Sequence, residues 1–262
     1  YSSAASDVYK RQLLGRHVLY CGDSTEKKDI AALMDGKQAD LVVTDPPYNV
    51  AYEGSNGLRI QNDNMPEEQF LAFLIAAFSR MHEVMKPGTP FYIWHAETVG
   101  GAFRRATNEA LGKVRQMLVW NKNAFTMGHQ DYQWKHEPCL YGWKPGAAHT
   151  WCGDRRQSTV WNFDRPQKSA LHPTMKPVAL MAYPIRNSSV SGALVIDFFS
   201  GSGSTLMACQ QIDRVCYAME IDPRYADATV SRYRMMYKNS PVRLIRDGIA
   251  LSAGDTYRLL NR

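Results

Sequence analysis

Four consecutive residues, Asp45-Pro46-Pro47-Tyr48, carry groups suited to activating an exocyclic amine of a nucleobase. Such an amine is a poor nucleophile because its lone pair is delocalised into the ring. Two acceptors on its two N–H bonds would localise that lone pair, and the Asp45 carboxylate and the Pro46 carbonyl can serve as these acceptors. The paired prolines stiffen the turn, and Tyr48 offers an aromatic face to a base taken out of the stack. The plain alternative is a Pro-Pro turn that closes a strand, with Tyr48 packed on the surface.

A second motif, residues 197–203, is a glycine-rich loop between a strand-like run and a helix-like run. Its glycines allow a tight turn and a close approach of the backbone to a ligand. A dinucleotide fingerprint would place a third glycine near Leu206, which weakens a nicotinamide interpretation. Glu220 ends the next strand-like run, where it can hold ribose hydroxyls. The pattern therefore predicts a nucleoside cofactor without pyrophosphate, for which S-adenosylmethionine is the natural candidate.

The elements that position these motifs follow from the apolar pattern. Short apolar runs predict strands at residues 17–21, 40–44, 91–94, 117–120, 193–196 and 215–219. Helical patterns predict helices at residues 67–83, 178–185, 204–211 and 223–236. Strands that alternate with helices predict an α/β fold with a mostly parallel, doubly wound sheet. Ligands bind beyond the carboxyl ends of the strands in such a sheet, which is where both motifs are expected.

The composition of the 262 residues is that of a globular protein, with 45% hydrophobic and 21% charged residues, and it excludes a disordered or fibrous chain. A net charge of +6 favours a polyanionic partner, although a basic enzyme without such a partner is equally compatible with this charge. The longest apolar run, residues 70–78, is far short of the roughly 20 residues of a membrane span. Five scattered cysteines without a CxxC pair predict reduced thiols in a cytosolic protein and no zinc site.

Together the two motifs resemble those of amino-group DNA methyltransferases, the N6-adenine/N4-cytosine class. The catalytic motif precedes the cofactor loop, as in the circularly permuted β-type of that family. Further stretches of roughly residues 13–238 are similar to family segments, namely 120–122, 135–138, 141–144, 172–177 and 220–225. The resemblance implies a Rossmann-like fold that depends on S-adenosylmethionine and acts on double-stranded DNA.

The resemblance also implies roles for individual residues. The catalytic residues would be Asp45, Pro46, Pro47 and Tyr48. The cofactor-binding residues would be Asp23, Thr174, Lys176, Asp197, Phe199, Gly201, Ser202, Gly203 and Glu220. Within this set Asp23 would contact the adenine of the cofactor, or act only as a turn or cap residue. Thr174 and Lys176 would reach the methionine carboxylate, and a helix start at Lys176-Pro177 is compatible with that role.

Residues 121–171 break the alternation of strands and helices and are expected to be an inserted target-recognition region. Between Trp120 and Lys176 there are eight Lys and Arg against four Asp and Glu, interleaved with aromatics. This composition suits nucleic acid, although an aromatic-rich loop over the sheet edge is the alternative. The candidate DNA contacts are Lys122, Lys135, Arg155, Arg156 and Arg165.

Two other features of this region carry no predicted chemistry. A base or metal role for His136-Glu137 is set aside because amine methylation needs no metal. Cys139 follows Pro138 as in cytosine-C5 enzymes, but Leu140 stands where that family has Gln, so a thiolate mechanism is rejected.

The predicted reaction is direct methyl transfer to the N6 of a flipped adenine in duplex DNA, with an Asp at position 45 favouring adenine. The alternatives are N4-cytosine methylation, a DNA-binding relative without turnover, and a methyltransferase that acts on protein or RNA. The predicted organisation is a non-native tail at 1–12, a methyltransferase domain at 13–240 and an unassigned tail at 241–262.

The stretch 14–24 resembles the methyltransferase half of phage proteins with an upstream ParB-like domain. The chain is therefore expected to be a piece of such a protein or a free-standing relative, in a bacterial or phage setting. A restriction–modification role and a homodimer, which some relatives form, are left open.

Overall fold

The computed structural model describes residues 10–50, 61–165, 175–246 and 248–260, and these contain one eleven-stranded mixed sheet. The strands in chain order are β1 Arg11–Leu14, β2 His17–Cys21, β3 Leu41–Thr44, β4 Pro90–Trp94, β5 Val114–Thr126, β6 Trp134–Trp143, β7 Val160–Asn162, β8 Leu194–Asp197, β9 Val215–Glu220, β10 Val242–Arg246 and β11 Ile249–Ala250. Their order across the sheet is β11-β10-β1-β2-β9-β8-β3-β4-β6-β5-β7.

The helices lie between and after these strands. They are α1 Lys27–Met34, α2 Glu67–Val84, α3 Gly100–Ala106, α4 Val178–Ser188, α5 Ser204–Gln211, α6 Pro223–Met236 and α7 Ala253–Leu260. A π-helical turn, Thr107–Leu111, continues α3. No helix within the described ranges is both long and apolar enough to cross a membrane.

The centre of the sheet is parallel. Strands β2, β9, β8, β3 and β4 all run in the same direction, with Leu41 paired to Val195 and Val42 to Phe91. These strands are short apolar runs that are buried on both faces, which is the pattern that predicted them. The predicted α/β doubly wound fold is confirmed. Antiparallel pairs flank the parallel centre, at β1 and β10 on one side and at β6 on the other, and the outermost strand β7 is parallel to β5.

Helices cover both faces of the sheet. Leu180 of α4, Leu206 of α5 and Val230 of α6 pack on one face, and residues of α1, α2 and α3 pack on the other. The chain passes from β8 through α5 to β9 in one direction, and from β3 through α2 to β4 in the opposite direction. Strand order therefore reverses between β3 and β8, and this reversal opens a ligand-binding crevice at their carboxyl ends.

Three predicted boundaries differ from the structure. The expected insertion at 121–171 begins inside β5, and it contains β6, which pairs with β4 in the main sheet. Arg11 and Gln12, at the end of the expected non-native tail, belong to β1, and Gln12 is fully buried. The unassigned tail contains β10, which pairs with β1. All these strand pairings are formed by main-chain hydrogen bonds. The side-chain composition of a strand therefore predicts its partner only weakly.

Candidate active site

The two sequence motifs meet at the reversal point of the sheet. Asp45 directly follows β3, and the glycine loop directly follows the neighbouring strand β8. The strand ends are joined by a buried hydrogen bond of 2.7 Å from the Thr44 hydroxyl to Asp197 Oδ1. The predicted catalytic and cofactor motifs therefore share one edge of the sheet.

Asp45 is held by two side chains. The Tyr48 hydroxyl donates to Asp45 Oδ1 at 2.5 Å, and Lys176 Nζ donates to Asp45 Oδ2 at 2.5 Å. Lys176 also donates to the Tyr48 hydroxyl at 2.8 Å. Burial, followed by the charge of Asp45, raises the pKa of Tyr48 well above its ordinary value, so the hydroxyl keeps its proton. The carboxylate is therefore anchored before any ligand is present.

The ammonium of Lys176 lies at Asp45, although the sequence placed this residue at the cofactor. The backbone carbonyl of Lys176 accepts a hydrogen bond of 2.8 Å from the Ser204 hydroxyl, at the first residue of α5. Pro177 precedes α4, so the expected helix start is present. The position of Lys176 joins both motifs, and its contact with the cofactor remains a prediction. Thr174 lies outside the described residues.

Glu137 of β6 completes a buried ion cluster with Asp45, Lys122 and Lys176. Glu137 Oε1 accepts from Lys122 Nζ at 2.5 Å, and Oε2 lies 3.3 Å from Lys176 Nζ. Burial alone would raise the pKa of Glu137, but Lys176 and Lys122 hold it below its ordinary value. Burial alone would lower the pKa of Lys176, but Asp45 and Glu137 hold it above its ordinary value. Glu137 and Lys176 are therefore both ionised at neutral pH.

Lys122 is therefore a poor candidate for the DNA contact that the sequence predicted. Its side chain is buried and paired with Glu137, and its ammonium lies 4.9 Å from the Trp120 ring. Residues two apart in a strand share one face, so Lys122 points to the same inner face as Trp120. Glu137 was missed because the pair His136-Glu137 signalled a base or metal site and nothing in the sequence indicated its lysine partners.

Phe103 and His95 border Tyr48 on the side of α3. The rings of Tyr48 and Phe103 meet edge to face at 6.4 Å, and His95 stacks on Phe103 at 5.4 Å. Burial lowers the pKa of His95 to about 4, so the imidazole is neutral at pH 7. These residues form an aromatic wall beside the catalytic motif that the sequence analysis did not single out.

The glycine loop turns sharply at the end of β8. Gly201 and Gly203 have φ values of 52° and 76°, which favour glycine. A Cβ atom on Gly203 would lie 2.5 Å from Thr229 Cγ2, so α6 leaves no room for a side chain there. Ser202 contributes its carbonyl, which accepts a hydrogen bond from Arg232. The loop conformation therefore depends on both glycines.

Glu220 ties the glycine loop to the end of β9. Its Oε2 accepts from the Gly201 N–H at 2.7 Å, and its Oε1 accepts from the Asp222 N–H at 2.9 Å. Burial raises the pKa of Glu220 to about 7 and that of Asp197 to about 6, although both accept hydrogen bonds. A bound cation or hydroxyl donor would favour the ionised form of both groups.

The residues present fit a cationic nucleoside cofactor. Asp197 and Glu220 are buried carboxyl groups at the ends of adjacent strands. The Ser200 hydroxyl between them is buried and has no hydrogen-bond partner among the described residues, as expected of a group that a ligand satisfies. Phe199 is half-buried and meets Phe73 edge to face. The loop thus offers carboxylates, a hydroxyl and an aromatic face.

Asp23 lies close to Glu220 but also shapes a turn. Cys21 of β2 pairs with Glu220 of β9, and the Gly22 N–H donates to the Glu220 carbonyl at 3.0 Å. Asp23 Oδ1 accepts from the N–H and the hydroxyl of Thr25. Asp23 therefore acts as a turn residue, and its contact with the cofactor stays a prediction.

The other predicted basic residues fall into two groups. Lys135 and Arg165 lie at the carboxyl end of the sheet, where the Arg165 N–H donates to Asn123 Oδ1 at 3.1 Å. Arg155 and its neighbour Arg156 lie on the flank, where Arg155 lines a cavity of about 260 Å³ with Tyr92 and Asn187. Asn187 is near the end of α4 that is remote from Lys176. Only the first group is close to the catalytic edge.

Cys139 is poorly suited to the thiolate mechanism. Cys139 is fully buried, and burial raises the pKa of its thiol well above the ordinary value, so it is a poor nucleophile. Among the described residues no three His, Cys, Asp or Glu side chains converge in a way that could hold a metal ion.

Known proteins resemble the chain in sequence. It is 24% identical over 221 residues to the type II methyltransferase M.HpaI of Haemophilus parainfluenzae, covering 76% of this chain and 69% of M.HpaI. It is 25% identical over 222 residues to the DNA adenine methyltransferase YhdJ of Escherichia coli K12, covering 72% of this chain and 74% of YhdJ.

Solved structures share the fold. The M1.HpyAVI–SAM complex superposes with a TM-score of 0.64 at 23% identity, covering 82% of this chain and 98% of that one. The PvuII DNA methyltransferase, described as cytosine-N4-specific, superposes with a TM-score of 0.69 at 15% identity, covering 95% and 93% of the two chains. A family model of N6/N4 methyltransferases, described as DNA methylase, matches residues 39–231, which include both motifs and the ion cluster. The chain therefore belongs to the N6/N4 DNA methylase family.

Proposed function

We propose that this protein transfers a methyl group from S-adenosylmethionine to the N6 amine of an adenine flipped out of duplex DNA. The observation that carries the proposal is the anchored Asp45 carboxylate at the end of β3, beside the glycine loop at the end of β8. The carboxylate that accepts a hydrogen bond from the amine and the loop that holds the cofactor lie at one edge of the sheet. The two reactants therefore meet in a single crevice. Such proximity removes much of the entropic cost of a bimolecular reaction.

Asp45 and Pro46 act on the target amine. The Asp45 carboxylate accepts a hydrogen bond from one N–H of the amine, and the Pro46 carbonyl accepts a hydrogen bond from the other. The nitrogen lone pair is therefore directed away from the ring. S-adenosylmethionine, when bound, supplies an electrophilic methyl carbon. The nitrogen lone pair would form the new N–C bond as the S–C bond breaks, and the Asp45 carboxylate, which already accepts a hydrogen bond from the amine, would take the proton that the methylated nitrogen loses. Tyr48 provides the aromatic surface for the base.

The cofactor lies along the ends of β2, β8 and β9. Glu220 accepts hydrogen bonds from the ribose hydroxyls, and Asp23 on the neighbouring turn contacts the adenine. Phe199 and the glycine loop enclose the remainder, with Asp197 as a nearby negative charge. This assignment is supported by the M1.HpyAVI neighbour, which was solved as a SAM complex.

The β5–β6 hairpin is the surface that receives DNA. Trp94 at the end of β4 pairs with Cys139, and β6 begins five residues earlier, at Trp134. At about 3.3 Å per residue the hairpin rises roughly 17 Å above the catalytic edge. Its upper part exposes Phe125, Met127 and Tyr132. The hairpin, together with Lys135 and Arg165, can therefore contact a duplex whose flipped base enters the site.

Adenine is favoured over cytosine by the Asp at position 45. The relative YhdJ is named a DNA adenine methyltransferase, whereas the structural neighbour PvuII is cytosine-N4-specific. N4-cytosine methylation is therefore the second candidate, with the same mechanism and a different base.

The deciding experiment is transfer of a labelled methyl group from S-adenosylmethionine into unmethylated duplex DNA, followed by nucleoside analysis. N6-methyladenine supports the proposal, and N4-methylcytosine overturns the assignment of the base alone. Asp45→Ala is expected to abolish incorporation while cofactor binding stays within about twofold. No incorporation by the wild type, with cofactor and DNA both bound, would identify a binding protein without turnover.

A further inference from the structure

We propose that Glu137 is a positioning residue for the transfer step, because together with Lys122 it holds the Lys176 ammonium in the place that orients the Asp45 carboxylate. This inference rests on the proposed function. It assigns a role to two residues of β5 and β6 that have no direct part in the chemistry.

The three N–H donors of Lys176 match three acceptors. They are Asp45 Oδ2 at 2.5 Å, the Tyr48 hydroxyl at 2.8 Å and Glu137 Oε2 at 3.3 Å. An ammonium group has three donors, so this set uses all of them. Lys176 is 5% exposed, and water therefore cannot replace a lost acceptor at low cost. Glu137 is the one of these three acceptors that lies outside the catalytic motif. Its position therefore determines the distance between the Lys176 ammonium and the Asp45 carboxylate.

The ion cluster contains two cations, Lys122 and Lys176, and two anions, Asp45 and Glu137. Its net charge is zero when all four groups are ionised, which suits a buried site. If Glu137 loses its charge, both lysines are left with Asp45 as the remaining anion of the cluster. The carboxylate then becomes a weaker acceptor for the target amine. If Lys176 loses its charge instead, Asp45 faces Glu137 with less compensation and loses the donor that orients it.

The groups that face Asp45 come from several elements. Lys176 precedes α4, Tyr48 lies on the same turn, Glu137 and Cys139 are on β6, and Asp197 ends β8. Cys139 is a neutral thiol at pH 7 because burial raises its pKa. Asp197 is the one further anion in this set, and neither substitution considered above changes it. Changes in rate in the two variants therefore report on the ion cluster.

The test compares Glu137→Gln, Lys176→Met and the double variant Lys122→Met/Glu137→Gln with the wild type. Single-turnover methylation is measured near neutral pH with saturating cofactor and duplex DNA. Glu137→Gln is expected to lower the rate at least tenfold and to leave the Kd of the cofactor within about twofold. Lys176→Met is expected to lower the rate at least as much, because it removes the donor that orients Asp45.

The double variant removes one charge of each sign and so restores neutrality around Asp45 and Lys176. It is expected to fold and to recover part of the rate lost in Glu137→Gln, even where the single variant is unstable. Lys86→Met, which breaks the exposed pair of Lys86 with Asp40, is the control and should behave as the wild type. A wild-type rate in Glu137→Gln, or a folded double variant that recovers none of the rate lost in Glu137→Gln, would overturn the inference.

A second measurement separates this inference from the proposed function. The ¹³C resonance of the Asp45 carboxyl group is read in the free protein near neutral pH and assigned with Asp45→Asn. Glu137→Gln and Lys176→Met should each move this resonance, and Lys86→Met should leave it in place, whether or not the wild type methylates DNA. An unmoved resonance in Glu137→Gln would refute the positioning role even if the enzyme is active, whereas a moved resonance with no methylation would refute only the proposed function.

Discussion

The Thr44 hydroxyl donates a hydrogen bond of 2.7 Å to Asp197 across two adjacent parallel strands, and both residues are buried. This bond joins the catalytic turn to the cofactor loop. It also lowers the pKa of Asp197, which burial otherwise raises, and the net value is about 6.

Thr44→Val keeps the shape of the side chain and removes this donor. We expect the pKa of Asp197 to rise further, and the free energy of unfolding at pH 8 to fall by about 1–3 kcal/mol. The loss should shrink as the pH falls through about 6, because the carboxyl group then becomes protonated in the folded state and the hydrogen bond no longer has a charged acceptor. Denaturant unfolding at several pH values measures it, with Thr44→Ser as the control. Equal stability of Thr44→Val and the wild type at pH 8 would contradict the assignment.

Cofactor binding should depend on pH through Glu220. Its pKa of about 7 lies well above the ordinary value because of burial, and ribose hydroxyls that donate to it would favour the carboxylate. Affinity for S-adenosylmethionine should therefore increase from pH 6 to 8, with proton release on binding near pH 6.5. Calorimetry in buffers of different ionisation enthalpy measures this release.

The same group affects the ligand-free protein. Because the folded state binds more protons than the unfolded state between pH 4.5 and about 7, the contribution of Glu220 to stability falls as pH rises through that window. Glu220→Gln should remove both this dependence and the proton release. Proton release that persists in Glu220→Gln would assign it to another group.

Gly203→Ala should destabilise the loop for two reasons. The residue has a φ of 76°, and the new Cβ atom would lie 2.5 Å from Thr229 Cγ2. We expect a loss of about 2–4 kcal/mol in unfolding free energy, from strain and overpacking together. Adding Thr229→Ser, which removes that methyl group and keeps the hydroxyl, should recover part of the loss. No recovery in the double variant would mean that backbone strain alone is responsible.

Arg165 and Arg155 should contribute differently to DNA binding. Arg165 lies at the catalytic edge beside Asn123, whereas Arg155 lines the flank cavity. Arg165→Ala should weaken duplex binding and reduce the slope of log K against log salt by about one. Arg155→Ala should leave that slope unchanged. A reduced slope in Arg155→Ala instead would move the DNA to the flank of the sheet.

Tyr132 at the upper part of the hairpin is 92% exposed, and we expect it to contact the duplex. Tyr132→Ala should weaken duplex binding by about tenfold, in line with the loss of one stacking contact. Ile249→Ala, at an exposed position on β11 across the sheet, is the matched control. Equal effects of the two substitutions would show that the hairpin has no special role.

Sequence reasoning performed best where local chemistry determines the structure. The bounds predicted for α5 and α6 agree with the structure; α6 begins at Pro223 after Asp222, whose carboxylate caps the helix. The strand β1 was missed because Arg11 and Gln12 were assigned to the polar tail at 1–12, which was left out of the fold prediction. Lys122 and Glu137 are 15 positions apart, and their contact depends on the register of β5 and β6. No local pattern in the sequence gives that register.

The order of the strands has a consequence for synthesis of the chain. Strands β9 and β8 lie between β2 and β3, although they are made long after both. Thr44 and Asp197 are 153 positions apart, so a ribosome that adds about 5–20 residues per second needs roughly ten to thirty seconds to pass from one to the other. During that interval β3 has an open edge, which is a site for aggregation. A message truncated before β8 therefore yields a substrate for proteases and chaperones, because neither motif has its partner.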